Sequence, residues 1–254
     1  MTVPVDATWL MALLLATARA VAWLCVVPPF ANRQVIPTPV TVAIGLGLGL
    51  MVAPGIPAAA LPQTTAGLLG SVVLQVMTGV ALGFVINLLL SAITAAGSML
   101  DLGGGLTLPP SEDPLSLQQT PIMGQFYEQV AVLLLFASGG YLVIVQGFVH
   151  SFAAPAYSLA GSGRVATVVT VDLATFFTSA LEIACPILAI LFGAQIVLAM
   201  LAKAAPQVNV WILGFPLQVF LVLVLAAVGI SVIPGYLGNL LTRALGDGAR
   251  MFGG

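Results

Sequence analysis

Residues able to do chemistry are scarce in this chain and too scattered to form a catalytic or ligand set. The only histidine is His150, and the two cysteines, Cys25 and Cys185, each sit inside an apolar run. A metal centre needs several such ligands at close spacing, and that spacing is missing. The cysteines read instead as small buried hydrophobes, the common fate of a free thiol. Gly45, Gly47 and Gly49 have the outline of a phosphate loop, yet they lie in an apolar run with no preceding strand. Close helix packing suits them better. Asp247-Gly248-Ala249-Arg250 shares a fragment of a membrane phosphotransferase signature, without its spacing or its downstream aspartates. It reads as a solvated helix end. With no Ser/His/Asp set, paired-acid motif or nucleotide loop, the sequence points to no enzyme and to no cofactor.

The remaining polar residues mark structure and interaction. Arg19 falls in the middle of the first apolar tract, where a charge at bilayer depth costs at least ~2.5–3.5 kcal/mol and needs a partner or a wet interior. Glu128 and Glu182 are the acids in other tracts, and Glu182 is the better candidate for a buried charge near Arg19. Gly79 and Gly83 form a G-x-x-x-G pair, as do Gly45 and Gly49, which lets a second helix backbone approach closely. The connector Asp101–Thr120 holds Gly103, Gly104 and Gly105, three prolines (Pro109, Pro110, Pro114) and three of the eight acids. A polar connector of this length inside an apolar protein suggests a surface loop or one that lines and closes an enclosed cavity. In the second case Leu106, Leu108 and Leu115 seal against a wall while Glu112 and Asp113 stay wet. Farther on, Lys203–Asn209 is a tight connector in which Pro206 ends a helix. Gln207 and Asn209 then offer uncharged hydrogen-bonding groups at its tip.

The elements that carry these residues must be apolar helices. Of 254 residues, 60% are hydrophobic and 6% charged, against roughly 25% charged in a soluble domain. Most of the surface therefore meets lipid or other protein. The net charge of −2 supplies no basic field for nucleic acid. Six apolar tracts stand out: Trp9–Val27, Val40–Val52, Ala66–Leu100, Met123–Phe152, Val165–Leu201 and Val210–Ile233. The third and fifth, at 35 and 37 residues, overshoot the ~20 residues that cross a bilayer. The second, at 13 residues, undershoots it. The expected fold is all-α, with long helices that are tilted, broken or covered by other subunits. Loop charges give no orientation. The first segment has no basic n-region or cleavage site and reads as mature sequence.

At the level of loops the chain resembles the FliR/SctT family of type III export proteins, nearly from end to end. Arg19 with Pro28-Pro29-Phe30, then Arg33-Gln34-Val35-Ile36-Pro37, are similar to that family's first segment and first loop. Gly79-Val80-Ala81-Leu82-Gly83-Phe84 is similar to its G-x-A-L-G-F run, and Asp113-Pro114 to the D-P of its central loop. The most specific stretch is Ala205-Pro206-Gln207-Val208-Asn209 followed by Gly214-Phe215-Pro216. Ser98 and Gln218 stand where many members carry an acid and a base.

The resemblance implies one export-gate domain over 1–254, FliP-like over 1–163 and with a FliQ-like helical hairpin over 164–254. It implies a multi-pass protein of the bacterial inner membrane, in the flagellar basal body. Its partners would be FliP-like and FliQ-like subunits, an FlhB-like switch protein and an FlhA-like exporter, with membrane lipid around them and unfolded export substrates in transit. The central loop would plug the closed pore. The other connector, Lys203, Pro206, Gln207 and Asn209 with Gly214 and Pro216, would contact partners. A secondary transporter or small permease is the alternative, but the chain lacks the repeated halves and midplane charges such proteins carry. A membrane lipid-modifying enzyme would need a polar catalytic cluster.

Overall fold

The computed structural model describes residues 6–28, 30–31, 36–57, 61–62, 64–106, 121–152, 162–205 and 210–252. Eight α-helices occur among them, with no strand: α1 (Ala7–Leu24), α2 (Thr38–Val52), α3 (Thr65–Gly103), α4 (Ile122–Ala137), α5 (Gly140–His150), α6 (Ser162–Ala204), α7 (Val210–Ile230) and α8 (Ile233–Phe252). The protein is an all-α membrane-type fold. At 1.5 Å per residue, α3 and α6 run about 60 and 65 Å, twice the hydrocarbon thickness of a bilayer.

Local chemistry sets the helix ends. Pro37 precedes α2 in extended conformation and Pro39 occupies its first turn, where a missing N–H costs nothing. Thr64 starts α3 by accepting the Gly67 N–H on its hydroxyl at 3.1 Å, the usual N-cap bond. Gly139, with φ +73°, divides the fourth apolar tract into α4 and α5, so that tract is two helices and not the single run its composition suggests. Pro186 and Pro216 stand inside α6 and α7.

Four helical stretches are long and apolar enough to cross a membrane: Ala7–Leu24, Thr38–Gly55, Thr65–Gly103 and Thr170–Ala204. The broken pairs α4/α5 and α7/α8 raise the number to six if each counts as one span. Within the chain α6 is the least covered, with 22% of its apolar window buried against 44% for α1. Phe177, Phe192, Val197 and Met200 all face outward from it.

The chain packs as two compact units. One comprises 1–88, 139–172 and 241–254; the other comprises 89–138 and 173–240. Both draw on residues before and after position 163, so compact packing does not follow that division. In the first unit α1 lies in close contact with α2 and α3 through glycine. A Cβ on Gly45 would fall 2.5 Å from Val21 Cγ2, and one on Gly49 would strike Thr17. On α3, a Cβ at Gly79 would strike the Arg19 carbonyl oxygen, and one at Gly83 would reach 2.9 Å from Val26. Ala12, Leu15, Ala53 and Leu61 form a buried cluster beside these contacts. In the second unit α3 meets α4 where Gly97 faces the Met123 carbonyl, and Tyr127 of α4 packs on Gly229 of α7.

Candidate functional site

Two polar centres are built into this apolar framework, one in each unit. In the first, Arg19 is 1% exposed. Its Nε donates to Gln75 Oε1 on α3, and one terminal nitrogen donates to the Ser151 carbonyl at 2.8 Å and to Ser151 Oγ at 3.2 Å. Ser151 is the C-cap of α5, so the guanidinium sits at the negative end of that helix, where a cation is favoured. The Phe152 ring lies under the guanidinium carbon at 4.1 Å, adding a cation–π contact worth ~2 kcal/mol when desolvated. Trp23 stacks on Phe148 with centroids 4.5 Å apart, and Phe152 meets Phe148 edge-on. One cation thereby ties α1, α3 and the end of α5 together inside an aromatic box.

The second centre lies at the base of the long connector. Asp101, 1% exposed, is the third residue from the end of α3. Its carboxylate accepts the Met123 N–H at 2.9 and 3.1 Å and the Gly124 N–H at 3.1 Å. These are the N2 and N3 groups of α4, whose own N-cap is Pro121 and makes no side-chain cap. Asp101 therefore does for α4, from another helix, what an N-cap aspartate does locally. The end of α3 is closed in turn. Leu106 N–H donates to the Asp101 carbonyl at 2.9 Å and Gly105 N–H to the Leu102 carbonyl at 3.3 Å. Gly105 has φ +66°. That pair of bonds around a left-handed glycine is a Schellman motif. Gln195 of α6 donates to the Gly103 carbonyl at 2.7 Å. Both ends of the connector are thus held at one place.

The glycine triplet works differently from a freely bending loop. Gly103 is helical, and a Cβ there would come 2.6 Å from Leu188 Cδ2. A Cβ on Gly104 would strike Val222. Only Gly105 uses a conformation reserved largely for glycine. The connector therefore begins after α3 closes at Gly103, and Asp101 and Leu102 belong to the helix. Leu106 follows the motif; Leu108, Pro109, Pro110, Glu112, Asp113, Pro114 and Leu115 lie outside the described residues.

Other expected site residues fall as follows. Gly79 and Gly83 sit where α1 approaches α3. Lys203 is exposed in the last turn of α6, while Pro206, Gln207 and Asn209 lie outside the described residues. Gly214 and Pro216 are not loop residues: both stand within α7. Glu182 is not buried. It is exposed on α6, beside the Tyr236 phenol of α8. Cys185 is likewise exposed and Cys25 half-buried, so neither thiol is a core residue. Sequence reasoning missed Gln75, Ser151, Gln195 and the buried Asp172, and it assigned Asp101 to the loop. Asp101 carried one usable signal, its place just before Gly-Gly-Gly. No group of three or more His, Cys, Asp or Glu able to hold a metal occurs among the described residues.

Comparison with known proteins gives these centres a context. The model of the family described as bacterial export proteins, family 1, matches residues 10–244. The flagellar biosynthetic protein FliR of Escherichia coli K12 is 26% identical over 211 residues, 83% of this chain and 80% of that protein. FliR of Pectobacterium carotovorum is 26% identical over 230 residues, 89% and 86% of the two chains. The surface presentation of antigens protein SpaR of Shigella sonnei is 28% identical over 136 residues, 53% and 52%. With the family pattern running through α1 to α8, the chain belongs to the bacterial export proteins of family 1, the FliR/SctT family.

Proposed function

We propose that the chain is a membrane-embedded subunit of the flagellar type III protein export apparatus, helping to form and close the channel for unfolded substrates. The observation that carries this reading is the family match over 10–244. The flagellar assignment is favoured over an injectisome by coverage: the two FliR relatives align over more than four-fifths of this chain, SpaR over about half. The outward apolar faces of α3, α6 and α7 support the membrane and assembly part, since Leu69, Met77, Phe192, Val197 and Phe220 are all more than 60% exposed in the isolated chain. Contiguous apolar surface on this scale is covered by lipid or protein.

In this reading the protein sits in the inner membrane within the basal body. Its neighbours are FliP-like and FliQ-like subunits, with 1–163 and 164–254 as the portions resembling each. FlhB-like and FlhA-like proteins work beside it. The connector beyond Leu106 is the closing segment, and the Lys203–Asn209 turn is a partner contact. Co-expression tests the assembly claim. The chain made alone aggregates or degrades in detergent, and FliP-like and FliQ-like partners recover a discrete complex. A monodisperse, protease-resistant monomer would count against it.

A further inference from the structure

We propose that the exposed stripe Glu182, Cys185, Ala189 and Gly193 on α6 docks an apolar helix of another export-apparatus subunit, and that this helix brings a basic side chain to Glu182. The inference rests on the export-subunit reading above and names the face it uses. Spacings of three and four residues put the four side chains on one side of the helix. All four are exposed, and a Cβ built on Gly193 would meet nothing within 4 Å. Small residues at this spacing let a second helix backbone come close where lipid would otherwise pack. Phe192 and Val197, 63% and 64% exposed, stand on the two sides of the stripe as walls.

The chemistry of the stripe selects the occupant. Glu182 lies inside the apolar window Thr170–Ala204, whose mean hydropathy is 2.4, and a carboxylate on such a face is poorly served by lipid tails. Pro186, four residues on, has no N–H, so the Glu182 carbonyl lacks the donor that an unbroken helix supplies. The Tyr236 phenol beside the carboxylate offers one donor, whereas a carboxylate accepts about four bonds. The stripe is thus rich in acceptors and negatively charged, and a helix carrying lysine or arginine complements it. Lipid is the competing occupant.

Photocrosslinking in cells that make the complete apparatus separates the two. Phe192→p-benzoylphenylalanine keeps an aromatic side chain at the wall and is expected to yield an adduct with a second subunit. Glu182→Lys lowers that adduct and the recovery of complex tenfold or more, while Glu182→Gln lowers both less than threefold. An assembled complex giving lipid adducts only, or a Glu182→Lys variant with parental adduct, overturns the docking face and leaves the export reading standing. A parent chain that assembles with no other subunit overturns the export reading and the proposal with it.

Discussion

Replacing Asp101 probes the one place where a side chain completes a distant helix. Pro121 cannot cap α4 by a side-chain bond, so Asp101→Ala leaves the Met123 and Gly124 N–H groups without their acceptor. Each orphaned buried donor costs about 1–3 kcal/mol, and loss of a cap alone costs typically ~1 kcal/mol. The charge at the N-terminus adds about 0.3–1 kcal/mol. Some of the freed N–H groups will find water, so the net for Ala is about 2–4 kcal/mol. Asp101→Asn keeps one acceptor oxygen and loses the charge, for a net of about 1 kcal/mol. At roughly 2–4 °C per kcal/mol for a chain of this size, Ala lowers the melting temperature by about 4–16 °C and Asn by about 2–4 °C. The assay heats the purified complex in detergent and measures the monodisperse fraction left by size-exclusion chromatography. An Ala variant melting within about 1 °C of the parent would refute the reasoning.

Two further substitutions test the packing and the buried cation. Gly79→Ala drives a methyl onto the backbone oxygen of Arg19, which cannot swing aside; it costs about 1–3 kcal/mol, whereas Gly47→Ala, with open space around it, is neutral or stabilising by up to ~1 kcal/mol. The same melting assay ranks them. Arg19→Met orphans Gln75 Oε1 and the Ser151 carbonyl, at about 1–3 kcal/mol for each acceptor. Adding Gln75→Leu removes one of them, so the double variant melts higher than Arg19→Met alone, and equal or lower melting would contradict the assigned bond.

How much of this was legible in the sequence depends on the range of the interaction. The scarcity of charge dictated apolar helices, and the lengths of the third and fifth tracts announced helices too long for a bilayer. G-x-x-x-G spacing marked Gly79 and Gly83 because close approach needs nothing beyond local absence of a side chain. The break at Ser138–Gly139 was hidden, since one glycine among 27 carries no mark of a positive φ. The triplet Gly103-Gly104-Gly105 read as loop because small size and conformational freedom look alike in sequence. Only Leu188 and Val222, far along the chain, reveal that two of the three are there for space. The Arg19 centre was half legible: a charge in an apolar tract demands compensation, but Gln75 and a helix-end carbonyl compensate it, and neither looks like a counter-ion. Glu182 was misread for the converse reason. Its tract is apolar all round, so no stripe told which face turns inward.

The central claim is that this chain is required for flagellar type III export. The most direct test deletes its gene in the organism that carries it and measures rod, hook and filament subunits outside the cell, then restores the gene on a plasmid. The account predicts that export of all three falls below detection, that motility is lost, and that the restored chain recovers both. A deletion strain that still exports hook and filament subunits at the parental level would contradict it.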